Sequence, residues 1–466
     1  MIETLNKKTK ITMIYTIFMA IIFIIFSVIE EKVKNLEFVA WIANITYIVL
    51  FICIFSLKKD ILESSIVFMT FIFLFCNGEV FLYSLGIDMD SYIVFWNNTT
   101  EEIIRATIYF TLSFLVMGEG IIFTLREKKE DEVEISKEFN STIRLIGYLL
   151  AIISIVPYFY KLIPAIMTAL TSGYGAIYSS NQQTSGLSYI TEFFIPSLLL
   201  ILYSYRNEKI KRNMFFFLIL IIAGLNLLTG GRGEGLSIVV ILLIFYNEYI
   251  KKFKGKNLIK LFIIVILLIL LISIIYNARS GNGGIKESVI STIISGENNP
   301  IVQTVAELGS TMNAWCLTDK AVPDIVDFKY GESYLASFMM IIPSTFLGGY
   351  SFATKAALDI WLQDIWNLSY GPGFNIFAET YYNFGWYGGI AFALVLGMFF
   401  GKMFNLKNKD KQKNELFKIL SLIFLFNSLI IARFPFHSTI RNIFYMYILV
   451  YIMIILVYNY KMKRRI

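Results

Sequence analysis

The chain has 466 residues, of which 57% are hydrophobic and only 16% charged. That leaves too little polar surface for a soluble globule of this length, so the sequence reads as an all-α polytopic membrane protein. A net charge of +7 would suit nucleic acid in a soluble protein; here the basic residues sit in short connections between apolar runs, where they report orientation, and no nucleic-acid partner is expected. The three cysteines, Cys53, Cys76 and Cys316, lack redox or metal spacing, so neither a disulfide framework nor a metal site is expected.

In chain order, windows able to cross hydrocarbon, about 20 residues each, fall at 11–29, 38–57, 66–85, 103–125, 143–160, 189–205, 214–228, 236–249, 258–276, 384–404, 416–432 and 443–460. The pattern predicts about twelve transmembrane helices. The first run is long enough to span and no small-residue cleavage site follows it, so it is expected to remain as a span. Every second connection is basic: Lys7, Lys8 and Lys10, then Lys58 and Lys59, 126–129, 206–212, 251–260, 402–413 and the tail 461–465. Excess Lys and Arg marks the cytoplasmic side, which predicts both termini cytoplasmic.

Three parts follow: spans one to nine over 1–276, one long extracytoplasmic connection over 277–383, and the last three spans over 384–466. The long connection keeps Trp315, Trp361 and Trp366 and many apolar residues, and connections of this length are usually functional. Its stretch 333–346 is apolar but short and interrupted by Pro343, which predicts a re-entrant or interfacial helix.

The unusual chemistry gathers on the outer face. The turn between spans seven and eight, LTGGRGEGL at 228–236, places Arg232 and Glu234 among four glycines. Glycine lets the backbone turn sharply and present N–H groups to a bulky anion such as phosphate, and a charge so near a bilayer must face water, a partner or a ligand. The competing reading is a plain turn with a paired Arg–Glu. Arg279, Lys286, Asp359, Asp364 and Glu379 fall in the long connection, and the last outer turn, RFPFHSTIRN, carries Arg433, His437 and Arg441. Guanidinium groups bind phosphate oxygens as planar, permanently charged forks, so several of them at a water–lipid boundary make a seat for pyrophosphate. For either arginine alone, interface anchoring by snorkelling competes with that reading.

The stretch 370–389, YGPGFNIFAETYYNFGWYGG, predicts a turn at Gly371, Pro372 and Gly373 and a helix from near Phe374. It sets Glu379 beside Tyr381, Tyr382 and Trp386, a combination of carboxylate and aromatic faces that suits carbohydrate. The alternative is an interfacial aromatic belt with Glu379 paired to an arginine.

The plan of many spans with one late outer connection, the glycine-rich Arg turn 229–235, the 372–388 stretch and the Arg–His–Arg turn together resemble the Wzy-type polymerases of O-antigen and capsular repeat units, within the O-antigen polymerase and ligase group. The resemblance implies a membrane-embedded glycosyltransferase (GT-C-like) architecture that works without a metal or other cofactor. Its implied substrates are undecaprenyl-pyrophosphate-linked oligosaccharides and its surroundings membrane lipid, with a chain-length regulator and a flippase as further partners. A growing glycan would pass to a lipid-linked repeat unit on the outer face of the cytoplasmic membrane. Arg232, Arg279, Arg433 and Arg441 would hold the leaving pyrophosphate, with Glu234 and Tyr381 at the substrate. Glu379 or His437 would accept the proton of the attacking sugar hydroxyl. The alternatives are an O-antigen ligase, and a lipid-linked oligosaccharide flippase; a transporter should carry charges deep in its helices and show repeat symmetry, which this sequence does not.

Overall fold

A computed structural model describes residues 6–29, 35–125, 136–172, 188–229, 232–253, 299–342, 344–347, 349–408 and 410–464. In chain order its helices are α1 (Lys7–Ile29), α2 (Leu36–Lys58), α3 (Ser64–Ser84), α4 (Ile93–Asn97), α5 (Thr100–Thr124), α6 (Lys137–Ser172), α7 (Phe194–Ser204), α8 (Lys209–Leu228), α9 (Arg232–Tyr249), α10 (Pro300–Gly309), α11 (Met312–Ala321), α12 (Glu332–Met339), α13 (Ala353–Ala356), α14 (Leu358–Ile365), α15 (Ile376–Phe404), α16 (Lys411–Ser428), α17 (Phe436–Asn442) and α18 (Val450–Lys463). Among the described residues there is no strand. The protein is all-α and polytopic: nine helical stretches of the described residues are long and apolar enough to cross a membrane, the last running from Phe436 to Lys463 through α17, the π-helical Ile443–Leu449 and α18.

Those nine coincide with nine of the sequence windows. Two further windows behave differently, and one, 258–276, lies outside the described residues. The window 189–205 contracts to the 11-residue α7 because the chain turns at Glu192 and Phe193, leaving about 16 Å of helix, roughly half the hydrocarbon thickness. The window 236–249 sits inside the 18-residue α9, whose first residue is Arg232. The glycine-rich stretch is therefore not a turn throughout. From Arg232 onward it is the first turn of a helix, secured by the Ser237 hydroxyl donating to the Gly233 carbonyl at 2.8 Å; Gly230 and Gly231 lie outside the described residues.

The chain forms two compact units. The first comprises 1–130, 305–405 and 428–441. Its centre is the pair α5 and α15. Helix α5 starts at a capping box, in which Thr99 and Glu102 satisfy each other's backbone N–H groups. Helix α15 starts at Asn375, whose side-chain oxygen accepts from Phe377 and Ala378 N–H. The two helices touch backbone to backbone: a Cβ on Gly120 would fall 2.5 Å from the Leu394 carbonyl oxygen and 2.7 Å from Met398 N. In lipid there is little hydrophobic force between apolar helices, so small residues that permit close approach carry the packing.

Cross-contacts fix the helix directions. Tyr109 meets Thr380 near the start of α5 and α15, and Thr124 lies at Gly401 near their ends, so the two run the same way. Tyr15 and Lys8 of α1 bond to Leu115 and Phe123 carbonyls of α5, and Phe68 at the start of α3 stacks on Phe400 near the end of α15. Helices α1 and α3 therefore run opposite to α5 and α15, as successive crossings of one membrane require.

The second unit comprises 131–304, 406–427 and 442–466. Here α6, 36 residues with Pro157 and Pro164 inside it, is the longest helix. Arg144 reaches Ser204 and Tyr158 packs on Phe194, so α6 and α7 are antiparallel. Tyr148 against Phe215 and the Asn226 amide donating to the Tyr158 hydroxyl set α8 parallel to α6. Phe139 packed on Tyr458 sets α18 antiparallel to α6.

Between α9 and α15 in sequence, the described part of the long connection forms the short helices α10 to α14 instead of an extended loop. Helix α12 and the 3-10 turn Ser344–Leu347 occupy the stretch 333–346, and both are far too short to span.

Candidate active site

Helix α15 begins eight residues before the window read from sequence, and the reason is a break. Gly385 adopts φ 68° and ψ −164°, a conformation open to glycine and strained for other residues, and divides the helix into 376–384 and 386–404. The break frees carbonyls at the end of the first part. Lys329 N–H donates to the Tyr382 carbonyl at 3.2 Å and Tyr330 N–H to the Asn383 carbonyl at 2.8 Å, so the approach to α12 is laced onto the break.

Asn383 extends this lacing. Its side-chain oxygen accepts from Gly331 N–H at 3.0 Å and Ser333 N–H at 3.4 Å, while its amide donates to Ser333 Oγ and the Glu379 carbonyl, both at 2.8 Å. Ser333 in turn donates to Glu379 Oε1 at 2.7 Å. The other oxygen, Oε2, accepts from Phe436 N–H at 2.7 Å. Glu379 is 1% exposed, and Ser333 and Asn383 are fully buried. A buried carboxylate is tolerable only where hydrogen bonds compensate it, and here both oxygens are taken by protein donors. The same device recurs at Glu79, also buried, whose Oε2 accepts from Val94 N–H at 3.0 Å at the start of α4.

Phe436 is the first residue of α17, so Glu379 anchors the helix that carries His437 and Arg441. Those two residues are four apart and share one helix face. His437 Nδ1 lies 3.0 Å from the Ala356 carbonyl oxygen. A carbonyl only accepts, so Nδ1 carries the hydrogen and the neutral ring keeps its lone pair on Nε2. Arg433 ends the preceding 3-10 turn, Ile431–Arg433, and its carbonyl accepts from Phe374 N–H at 3.0 Å. Gly373, at φ +67°, packs against it: a Cβ there would stand 3.3 Å from Arg433 Cγ. The Arg433 guanidinium makes no hydrogen bond or ion pair with the described residues. Two stretches read separately from sequence, 370–389 and 433–442, are thus bonded together at Phe374 with Arg433 and at Glu379 with Phe436.

Tyr381 lies on the other side of the same half-helix. It is buried among Tyr109, Trp315 and Phe328, with its hydroxyl donating to the Val322 carbonyl at 3.3 Å. Beyond it, Arg105 grips Asp319 with two bonds, 2.8 and 3.2 Å, and lies 4.7 Å over the Trp386 ring. Sequence reading missed Arg105, Asp319, Ser333 and Asn383 because their partners are remote; Arg105 and Asp319 are 214 residues apart.

The first unit therefore holds Glu379, Tyr381, Arg433, His437 and Arg441. Arg232 and Glu234 belong to the second, where Glu234 is exposed in the first turn of α9. Arg279 and Lys286 lie outside the described residues.

A family model described as O-antigen polysaccharide polymerase Wzy matches residues 11–465, nearly the whole chain. The chain belongs to the Wzy O-antigen polymerase family. No curated protein and no solved structure matches it significantly. As a Wzy polymerase it is a multi-pass membrane enzyme of the glycosyltransferase-like kind, acting in O-antigen repeat-unit polymerisation on lipid-linked oligosaccharide.

Proposed function

We propose that this Wzy protein moves a growing glycan from undecaprenyl pyrophosphate to the sugar hydroxyl of a lipid-linked repeat unit on the outer face of the bacterial inner membrane, with both chain termini cytoplasmic. The observation that carries the reading is one assembled element: an Arg433 guanidinium with no partner among the described residues, followed by His437 and Arg441 on one face of α17, all anchored by Glu379 and Gly373.

In the reaction the acceptor oxygen attacks the anomeric carbon. The bond from that carbon to the pyrophosphate breaks with its electron pair passing to the leaving group, and the hydroxyl proton passes to a base. Charge grows on the pyrophosphate, where preorganised cationic donors act most strongly. Arg433 and Arg441 fill that role, and the reading needs no metal. Tyr381 belongs to the floor beneath the sugar. Of the two bases put forward, His437 takes the proton, because its Nε2 lone pair meets only the Ser438 hydroxyl, at a long 3.5 Å; both Glu379 oxygens are held at 2.7 Å, so Glu379 serves as a positioning residue. A chain-length regulator and a flippase are natural partners for such a reaction.

The test uses purified full-length protein and defined lipid-linked repeat units, with products read by mass. Wild type is expected to elongate them, and Arg433→Ala to leave single units while keeping wild-type protein levels. Long polymer from Arg433→Ala would sink the arginine seat, and transfer of glycan to lipid A core in place of repeat units would make the protein a ligase.

A further inference from the structure

Helix α14 starts two residues after Ala356, whose carbonyl oxygen holds His437 Nδ1 at 3.0 Å, and its second residue is Asp359. One carboxylate oxygen of Asp359, Oδ1, is buried without a hydrogen-bond partner among the described residues. Asp359 thus stands three residues from the carbonyl that holds the His437 ring. A buried carboxylate oxygen left without a donor is costly, and such groups in folded proteins commonly mark a function.

We propose that Asp359 is a positioning residue for His437: its carboxylate stabilises the imidazolium that forms when His437 Nε2 takes the acceptor proton. This rests on the reading of His437 as base. The Ala356 carbonyl fixes the ring and its tautomer but carries no net charge, so it cannot balance a full positive charge arriving in a half-buried site. Asp359 supplies that balance from the same corner of the chain. The other charges nearby do not substitute for it. Arg441, on α17 itself, opposes a second cation. Arg433, in the preceding turn, is also cationic. On α15, Glu379 is committed to Ser333 and Phe436. On α13, Lys355 is paired with Glu332 of α12.

The experiment measures elongation of defined lipid-linked units by full-length protein as a function of pH, for Asp359→Asn, Asp359→Glu and His437→Gln. A base must be neutral to act, so the acid limb of the profile follows the protonation of His437. Losing a neighbouring negative charge makes protonation harder, and the limb is expected to move to lower pH by about one unit in Asp359→Asn. The rate constant kcat is expected to fall roughly tenfold or more with KM little changed, while Asp359→Glu regains much of the rate. An unmoved acid limb with kcat within about twofold of wild type would overturn the role of Asp359, as would a fall in KM-limited binding alone. Should Asp359→Asn give too little folded protein, Asp359→Ser decides by the same reading: a limb moved to lower pH supports the role, and an unmoved limb opposes it. Full activity in His437→Gln would refute the base itself, whereas an inactive His437→Gln beside a silent Asp359→Asn would refute only the present inference.

Discussion

Glu379 holds Ser333 Oγ with one oxygen and Phe436 N–H with the other, so truncating it strands two buried donors at once. Glu379→Ala is expected to destabilise the first unit by roughly 3 kcal/mol, the sum of two desolvated groups. Ser333→Ala removes two bonds, the one to Glu379 Oε1 and the one from the Asn383 amide, and should cost about 2 kcal/mol. Thermal unfolding in detergent checks both, and a Glu379→Ala protein as stable as wild type would remove Glu379 from its anchoring role. The acid among aromatics at 379 was visible in the sequence. Its partners were not, because Ser333 and Phe436 lie 46 and 57 residues away and only packing brings them to it. For the same reason the sequence offered Glu379 and His437 as interchangeable bases, whereas hydrogen bonding separates them: one has both acceptors held at 2.7 Å, the other has Nε2 in only a long 3.5 Å contact with the Ser438 hydroxyl.

Helix α15 carries two features that a single substitution each should expose. At Gly385 the combination of φ 68° and ψ −164°, essentially confined to glycine, costs a side chain about 1–3 kcal/mol. A Cβ there would also press on the Phe328 ring at 3.1 Å. Gly385→Ala is therefore expected to lower stability and to loosen the bonds from Lys329 and Tyr330, seen as faster amide hydrogen exchange at those two positions. At the crossing with α5, Gly120→Leu drives a side chain into the Leu394 carbonyl and Met398 N, where backbone cannot give way. A loss of about 3 kcal/mol is expected, read as reduced yield of folded protein. Hydropathy predicted that α5 and α15 cross the membrane; it carried no sign that they are neighbours. The break at Gly385 was half legible: the apolar window began at Phe384, next to the break, because the half-helix before it carries Glu379 and Asn383 and lowers the average.

For the whole molecule, the helix directions within each unit agree with alternate crossing, and the distribution of Lys and Arg supplies the side. The three natural cysteines are buried, so none can report that side directly. Tyr330, 80% exposed between α11 and α12, can. A Tyr330→Cys protein is expected to react with an impermeant maleimide on intact cells; reaction only after lysis would place the candidate active site on the cytoplasmic face and exclude an outer-leaflet polymerase.

The sequence by itself determined the all-α membrane class, most of the crossings and the stretches rich in chemistry, since hydrocarbon requires about 20 apolar residues per crossing whatever the neighbours are. Helices shortened by local turns, such as α7, escaped it, because hydropathy averages over a window and does not see a two-residue turn at Glu192 and Phe193. Only the tertiary structure decided that Glu379 anchors α17, that Arg433 rests on Gly373, and that Asp359 shares a corner with the Ala356 carbonyl bound to His437. Those relations join residues 57 to 81 positions apart, and they follow from helix packing and the satisfaction of buried hydrogen bonds, neither of which has a local signature in the chain.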